Sequence, residues 1–104
     1  QQQLDSSVLN IEVSPDQIVI IDLQGNDFVS EDMLLKDSYN IFTSSTSVNE
    51  MKESILKWYA KIDGQNVNVL TLKMTKSQME LLKSSPYTDV PTIAVHYMKH
   101  DQLK

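Results

Sequence analysis

The sequence predicts an α+β fold, a small sandwich of a mainly antiparallel sheet with two helices on one face, ferredoxin-like or related in topology. Three observations carry that expectation. Apolar and polar residues alternate along Val8–Val13 and Val67–Met74, the period of a strand with one buried face. The apolar spacing lengthens to three and four residues along Val48–Ile62 and again after Thr75, as on an amphipathic helix. Two capping boxes, Ser47-x-x-Glu50 and Thr75-x-x-Gln78, stand where those helical patterns begin. A chain of 104 residues holds one core, so residues 1–104 are read as a single domain with flexible ends at 1–7 and 99–104.

The elements follow in order. Leu9, Ile11 and Val13 alternate with Asn10 and Glu12, which makes Val8–Val13 the first strand. Ser14-Pro15-Asp16 supplies turn chemistry, because proline presets φ and Asp bonds nearby backbone. Ile18–Leu23 is apolar on both faces, as an interior strand is, and forms a hairpin with the first. Ser30–Lys36 reads as a short helix capped by Ser30, with Glu31 and Asp32 at the positive end of the helix dipole and Lys36 at the negative end. Tyr39–Phe42 fits either a loop or a short strand. Val48–Ile62 is predicted to be the main helix, with Val48, Met51, Ile55, Tyr59 and Ile62 on its apolar face and Gly64 as its terminator. Val67–Met74 is a strand, and Thr75 opens a helix of about ten residues that buries Met79 and Leu82. Pro86 ends that helix by disfavouring helical geometry at Ser85. Thr92–Met98 is the last strand, with Ile93, Val95 and Tyr97 on one face.

Composition narrows the functional classes. A chain that is 40% hydrophobic and 22% charged has the make-up of a globular domain rather than a disordered one. No apolar run approaches the roughly 20 residues that cross a bilayer, and no signal-peptide pattern stands at the start, so no membrane insertion of this segment is expected. The absence of cysteine removes disulfides and thiolate metal sites, in keeping with either a cytosolic protein or one secreted by a Gram-positive bacterium. The net charge of -5 is unevenly spread. Residues 1–50 hold nine acids and one lysine, a balance of -8, whereas residues 51–104 hold eight lysines and five acids, a balance of +3. An acidic chain without arginine is poorly suited to the phosphate backbone, so nucleic acid is excluded as a partner.

Catalytic chemistry finds little footing. His96 and His100 lie four apart in a strand pattern, which sets them about 13 Å apart along it rather than side by side as joint metal ligands. Serine is abundant but without a Gly-x-Ser-x-Gly elbow, and both histidines sit near the C-terminal end. Glu31 and Asp32 point about 100° apart on a helix, which reads as a solvated first turn rather than an acid pair. Gly25 and Gly64 are the only glycines, too few for a phosphate-cradling loop. Trp58 and most of the tyrosines are read as core. The sequence is therefore read as a non-enzyme with no cofactor and no metal.

One resemblance points further. Leu72-Lys73-Met74-Thr75, then Gln78, Met79 and Leu82, resemble the strand-to-helix Lys-Leu-Thr-x-x-Gln/Glu-Leu-x-x-Leu pattern of subtilisin-type protease propeptides and the related small proteinase inhibitors. Pro86 and Ile93–Tyr97 continue the likeness, and Ile18–Leu23 resembles that family's opening strand. The resemblance implies a βαββαβ arrangement, secretion or another extracytoplasmic location, and a serine protease as the partner that the chain would inhibit and help to fold. It further implies that the sheet face opposite the helices docks on the enzyme, with Glu80 and Asp89 as candidate interface acids. The tail after the last strand, expected to be extended and exposed, would lie in the active-site cleft, with Lys104 in the primary pocket and Leu103, Gln102 and Asp101 in the next three subsites. A second likeness comes from another class. The hairpin and the Val29-Ser30-x-x-x-Leu34 segment are similar to the periplasmic domains of TolR and ExbD, non-catalytic interaction domains of proton-driven membrane machines.

Overall fold

A β-hairpin opens the chain, as its alternation predicts. Strands β1 (Val8–Val13) and β2 (Ile18–Gln24) pair antiparallel, with a register irregularity between Val8 and Asn10. The computed structural model describes residues 8–25, 30–44, 50–101 and 103. Helix α1 (Glu31–Ser44) carries the chain back to β3 (Glu53–Ile62), which lies parallel to β2. A tight turn joins β3 to β4 (Gln65–Thr75), and a long antiparallel ladder follows. Helix α2 (Lys76–Leu82), a 3-10 turn (Tyr87–Asp89) and the single helical turn α3 (Val90–Ile93) lead to β5 (His96–Lys99), antiparallel to β4.

The five strands stand in sequence order, β1-β2-β3-β4-β5, and only β2 and β3 are parallel. This is the expected α+β architecture with a mainly antiparallel sheet. From β2 onward the elements run βαββαβ when α2, the 3-10 turn and α3 are counted as one helical segment, but the parallel strands touch directly instead of being split by another strand.

The main departure from expectation is Val48–Ile62. Residues 50–52 form turns and bends and Glu53–Ile62 is a strand; Ser47, Val48 and Asn49 lie outside the described residues. Ser54, Leu56, Trp58 and Ala60 alternate as fully buried positions, a period-two pattern masked in the sequence by the apolar residues between them. Gly64 ends no helix. Asp63 (φ 52°) and Gly64 (φ 80°) are the two central residues of the β3–β4 hairpin, both in the left-handed region that a two-residue I′ turn requires.

The second departure is α1. The short helix expected at Ser30–Lys36 runs on through the ambiguous Tyr39–Phe42 to Ser44. Ser30 does cap it, its Oγ accepting from the Met33 amide at 3.3 Å. Leu34, Leu35, Ser38, Ile41 and Phe42 form its buried face. The third is the last strand, which is four residues long. Ile93 is in a helical turn and Val95 is exposed, so Ile93, Val95 and Tyr97 share no strand face. Helix α2 keeps its capping box, but at seven residues it is shorter than expected.

All the described helices lie against one face of the sheet. Its inward row is Val19, Ile21 and Leu23 of β2, Leu56 and Trp58 of β3, and Leu70, Leu72 and Met74 of β4. Trp58 Nε1 donates to Ser38 Oγ of α1 at 2.8 Å, inside this core. Burying each such Leu or Ile contributes about 1.5–3 kcal/mol, and Leu34, Phe42, Met79, Leu82 and Val90 of the helical layer are buried against this row in the same core.

Candidate functional site: the helix-free face of the sheet

The opposite face of the sheet carries no helix among the described residues. It presents the alternate positions of the same strands, so the pleat that buries Val19, Ile21, Leu56 and Leu72 turns Ile20, Asp22, Ile55 and Lys73 outward. These outward residues are half-buried, and no described helix covers them. Ile18, Ile20 and Ile55 supply an apolar cluster, flanked by Glu53 and Lys73 on one side and by the Asp22 and Lys57 row on the other, with Tyr59 beyond that row. Glu53 and Lys73 form an ion pair of 3.4 Å across β3 and β4. Asp22 is level with Lys57 on the neighbouring strand, and its Oδ1 is buried without a hydrogen-bond partner. A buried carboxylate oxygen that lacks a partner is costly unless something supplies a donor. His96 and Met98 of β5 continue this face beside Lys73 and Thr71 and are exposed.

A second polar constellation ties the helical layer together. The Glu31 carboxylate accepts from the Tyr97 hydroxyl and from Lys99 Nζ, the latter at 3.2 Å. Burial first, then the bond to Glu31 and its charge, raise the Tyr97 pKa well above that of an ordinary tyrosine. Asp32 accepts from the Tyr87 hydroxyl at 2.7 Å and pairs with Lys36 at 3.5 Å. The Tyr87 pKa is raised by the bond to Asp32. The first turn of α1 is thus a brace to β5 and to the 3-10 turn, where the sequence alone predicts a solvated acidic turn. Its local signal was absent, because Tyr87, Tyr97 and Lys99 are more than fifty residues away.

The residues singled out from the sequence are not gathered at one place. Glu80 is on α2, exposed and paired with Lys83 at 3.5 Å, and Asp89 is exposed in the 3-10 turn; both belong to the helical layer rather than the helix-free face. Leu103 of the tail is not extended into solvent as expected. The Leu103 amide bonds back to the His100 carbonyl at 3.1 Å, and the residue is 5% exposed within the main core cluster. Asp101 is an exposed turn residue, while Gln102 and Lys104 lie outside the described residues. His96 is exposed on β5 and His100 follows it half-buried, and the described residues contain no group of three or more His, Cys, Asp or Glu side chains able to hold a metal ion. No helix among them is long and apolar enough to cross a membrane.

No family model matches this sequence, and no curated protein and no solved structure gives a significant match.

Proposed function

We propose that this chain is a protein-binding domain that meets its partner through the helix-free face of its sheet, and that the partner is a subtilisin-type serine protease which it inhibits and helps to fold. The observation that carries the binding surface is the face itself, which no described helix covers. It combines a half-buried cluster of Ile18, Ile20 and Ile55 with flanking charged residues of both signs and an unpartnered Asp22 oxygen. Such a surface gains by desolvation at its centre and by charge complementarity at its rim. The choice of protease rests on the resemblance at Leu72–Leu82 and is supported by the βαββαβ order of β2 through β5.

The buried Leu103 changes how inhibition would work. Drawing Leu103 out of the core costs about 1.5–3 kcal/mol, so a tail in the cleft starts at a disadvantage and the sheet face supplies the larger share of binding. Glu80 and Asp89 contribute only if the enzyme also reaches the helical layer. A second reading, an extracytoplasmic interaction domain like those of TolR and ExbD, is favoured by one observation: β1 and β2 form a continuous part of the sheet ahead of the βαββαβ unit, where the propeptide pattern has nothing.

The test is inhibition of a subtilisin-type protease by the full chain, by a chain ending at Met98, and by Ile20→Asp with its fold checked by circular dichroism. Inhibition by the first two and its loss in the third is the expected result. No inhibition by any form removes the protease; equal inhibition by Ile20→Asp removes the helix-free face as the site.

A further inference from the structure

The outer edge of β1 is the feature that the binding reading leaves unused. β1 is the first strand of the sheet, and no described residue pairs with its free side. Edge strands are normally blunted by shortness, lysine or proline. At the other edge, β5 has four residues, including His96 and Lys99. β1 has six residues, VLNIEV, with neither lysine nor proline, and Ile11 and Val13 are 55% and 62% exposed.

The hairpin fixes which backbone groups face outward. The Ser14 amide donates to the Ile18 carbonyl at 2.9 Å, so Ser14 turns its polar backbone toward β2. Backbone groups of an antiparallel strand alternate sides residue by residue, so Glu12 also faces β2, while Ile11 and Val13 turn their N–H and C=O groups to the open edge. Those two residues therefore offer both unpaired hydrogen bonds and exposed apolar side chains.

We propose that this edge pairs with the β1 edge of a second copy of the chain, antiparallel about a two-fold axis at Ile11, giving a continuous ten-stranded sheet. The strand is complementary to itself in that register. Ile11 meets Ile11 of the other copy as a hydrogen-bonded pair on the helix side of the sheet, and Val13 on that side comes opposite Leu9, where the register irregularity of β1 falls. On the opposite side Asn10 meets Glu12, an amide donor against a carboxylate, twice over. Centring the pair on Glu12 would oppose two like charges, and centring it on Val13 would set Pro15, which has no N–H, into the ladder. Charge and hydrogen bonding thus favour this register over those centred on Glu12 and Val13, and the contact is isologous. This pairing is independent of the sheet face that binds a partner protein.

The experiment is sedimentation equilibrium of the full chain from micromolar to millimolar concentration, with the fold of each variant checked by circular dichroism. The wild-type mass should rise from 11.9 kDa toward twice that value. Ile11→Lys opposes two lysines at the axis and should stay monomeric, the side chain being exposed enough to leave folding intact. Asn10→Lys should tighten the dimer roughly two- to tenfold through two new pairs with Glu12, and Asn10→Glu should loosen it by a similar factor. A wild-type chain that stays monomeric throughout overturns the proposal, whether its Ile11 and Val13 amides exchange rapidly (a bare edge) or are protected (an edge covered by the chain's own residues). A dimer indifferent to Ile11→Lys and to both Asn10 changes overturns it equally.

Discussion

Cutting the Trp58–Ser38 bond probes the contact that joins the helical layer to the sheet. Ser38 is fully buried on α1, Trp58 is buried on β3, and the indole N–H donates to the Ser38 hydroxyl at 2.8 Å. Ser38→Ala leaves the indole N–H buried with nothing to accept it, which costs about 1–3 kcal/mol. Trp58→Phe removes the donor but also part of a large buried ring, for a cost of about 2 kcal/mol or more. The double substitution removes both halves of the bond, so its cost should fall short of the two single costs together by about 1 kcal/mol. A domain of this size has a stability of about 5–15 kcal/mol, and each loss is therefore readable. The assay is urea unfolding followed by far-ultraviolet circular dichroism, a signal that survives loss of the only tryptophan. With a urea slope of about 1–3 kcal/mol per molar, Ser38→Ala should lower the midpoint by about 1 M without altering the slope. An unchanged midpoint in Ser38→Ala, or strict additivity in the double variant, would refute the reasoning that this bond is made and desolvated in the core.

Three further outcomes are expected. Gly64→Ala should destabilise by about 1 kcal/mol in thermal unfolding; an added Cβ meets no atom within 4 Å, so the cost comes from holding alanine at φ 80°. Thr75→Ala should cost about 1 kcal/mol by removing a cap that accepts from the Gln78 amide at 3.4 Å, and urea unfolding of the single variant checks it. Stability should fall as pH rises above about 10, where the unfolded chain ionises Tyr97 while the folded chain keeps it protonated, and should be fully present below that pH. Unfolding free energies of Tyr97→Phe at about pH 8 and about pH 11 should show a smaller alkaline loss than wild type, with a cost of about 1 kcal/mol at the lower pH from the missing bond to Glu31.

Local chemistry in the sequence determined the β1–β2 hairpin, the Thr75 cap and the inward positions Leu70, Leu72, Met74, Met79 and Leu82, because alternation, proline and capping act between residues close along the chain. The helix-free sheet face was legible only in outline, as the side opposite the helices. Its residues became identifiable once Glu53–Ile62 was a strand. In that segment the apolar residues fit both a helical and a strand period, and the choice fell to pairing with β2 on one side and β4 on the other. The Asp63-Gly64 pair was the local signal for the strand reading, since it favours a two-residue hairpin turn. Ser38 hid the length of α1 for the converse reason: a serine belongs on a buried helix face only when a distant group, here the Trp58 indole, satisfies its oxygen. Leu103 likewise follows the last strand with no periodic pattern, yet the core has room for it. Sequence thus fixed what neighbours along the chain decide, whereas burial, strand partners and the bonds of Glu31, Ser38 and Asp32 depend on residues that only the folded chain brings together.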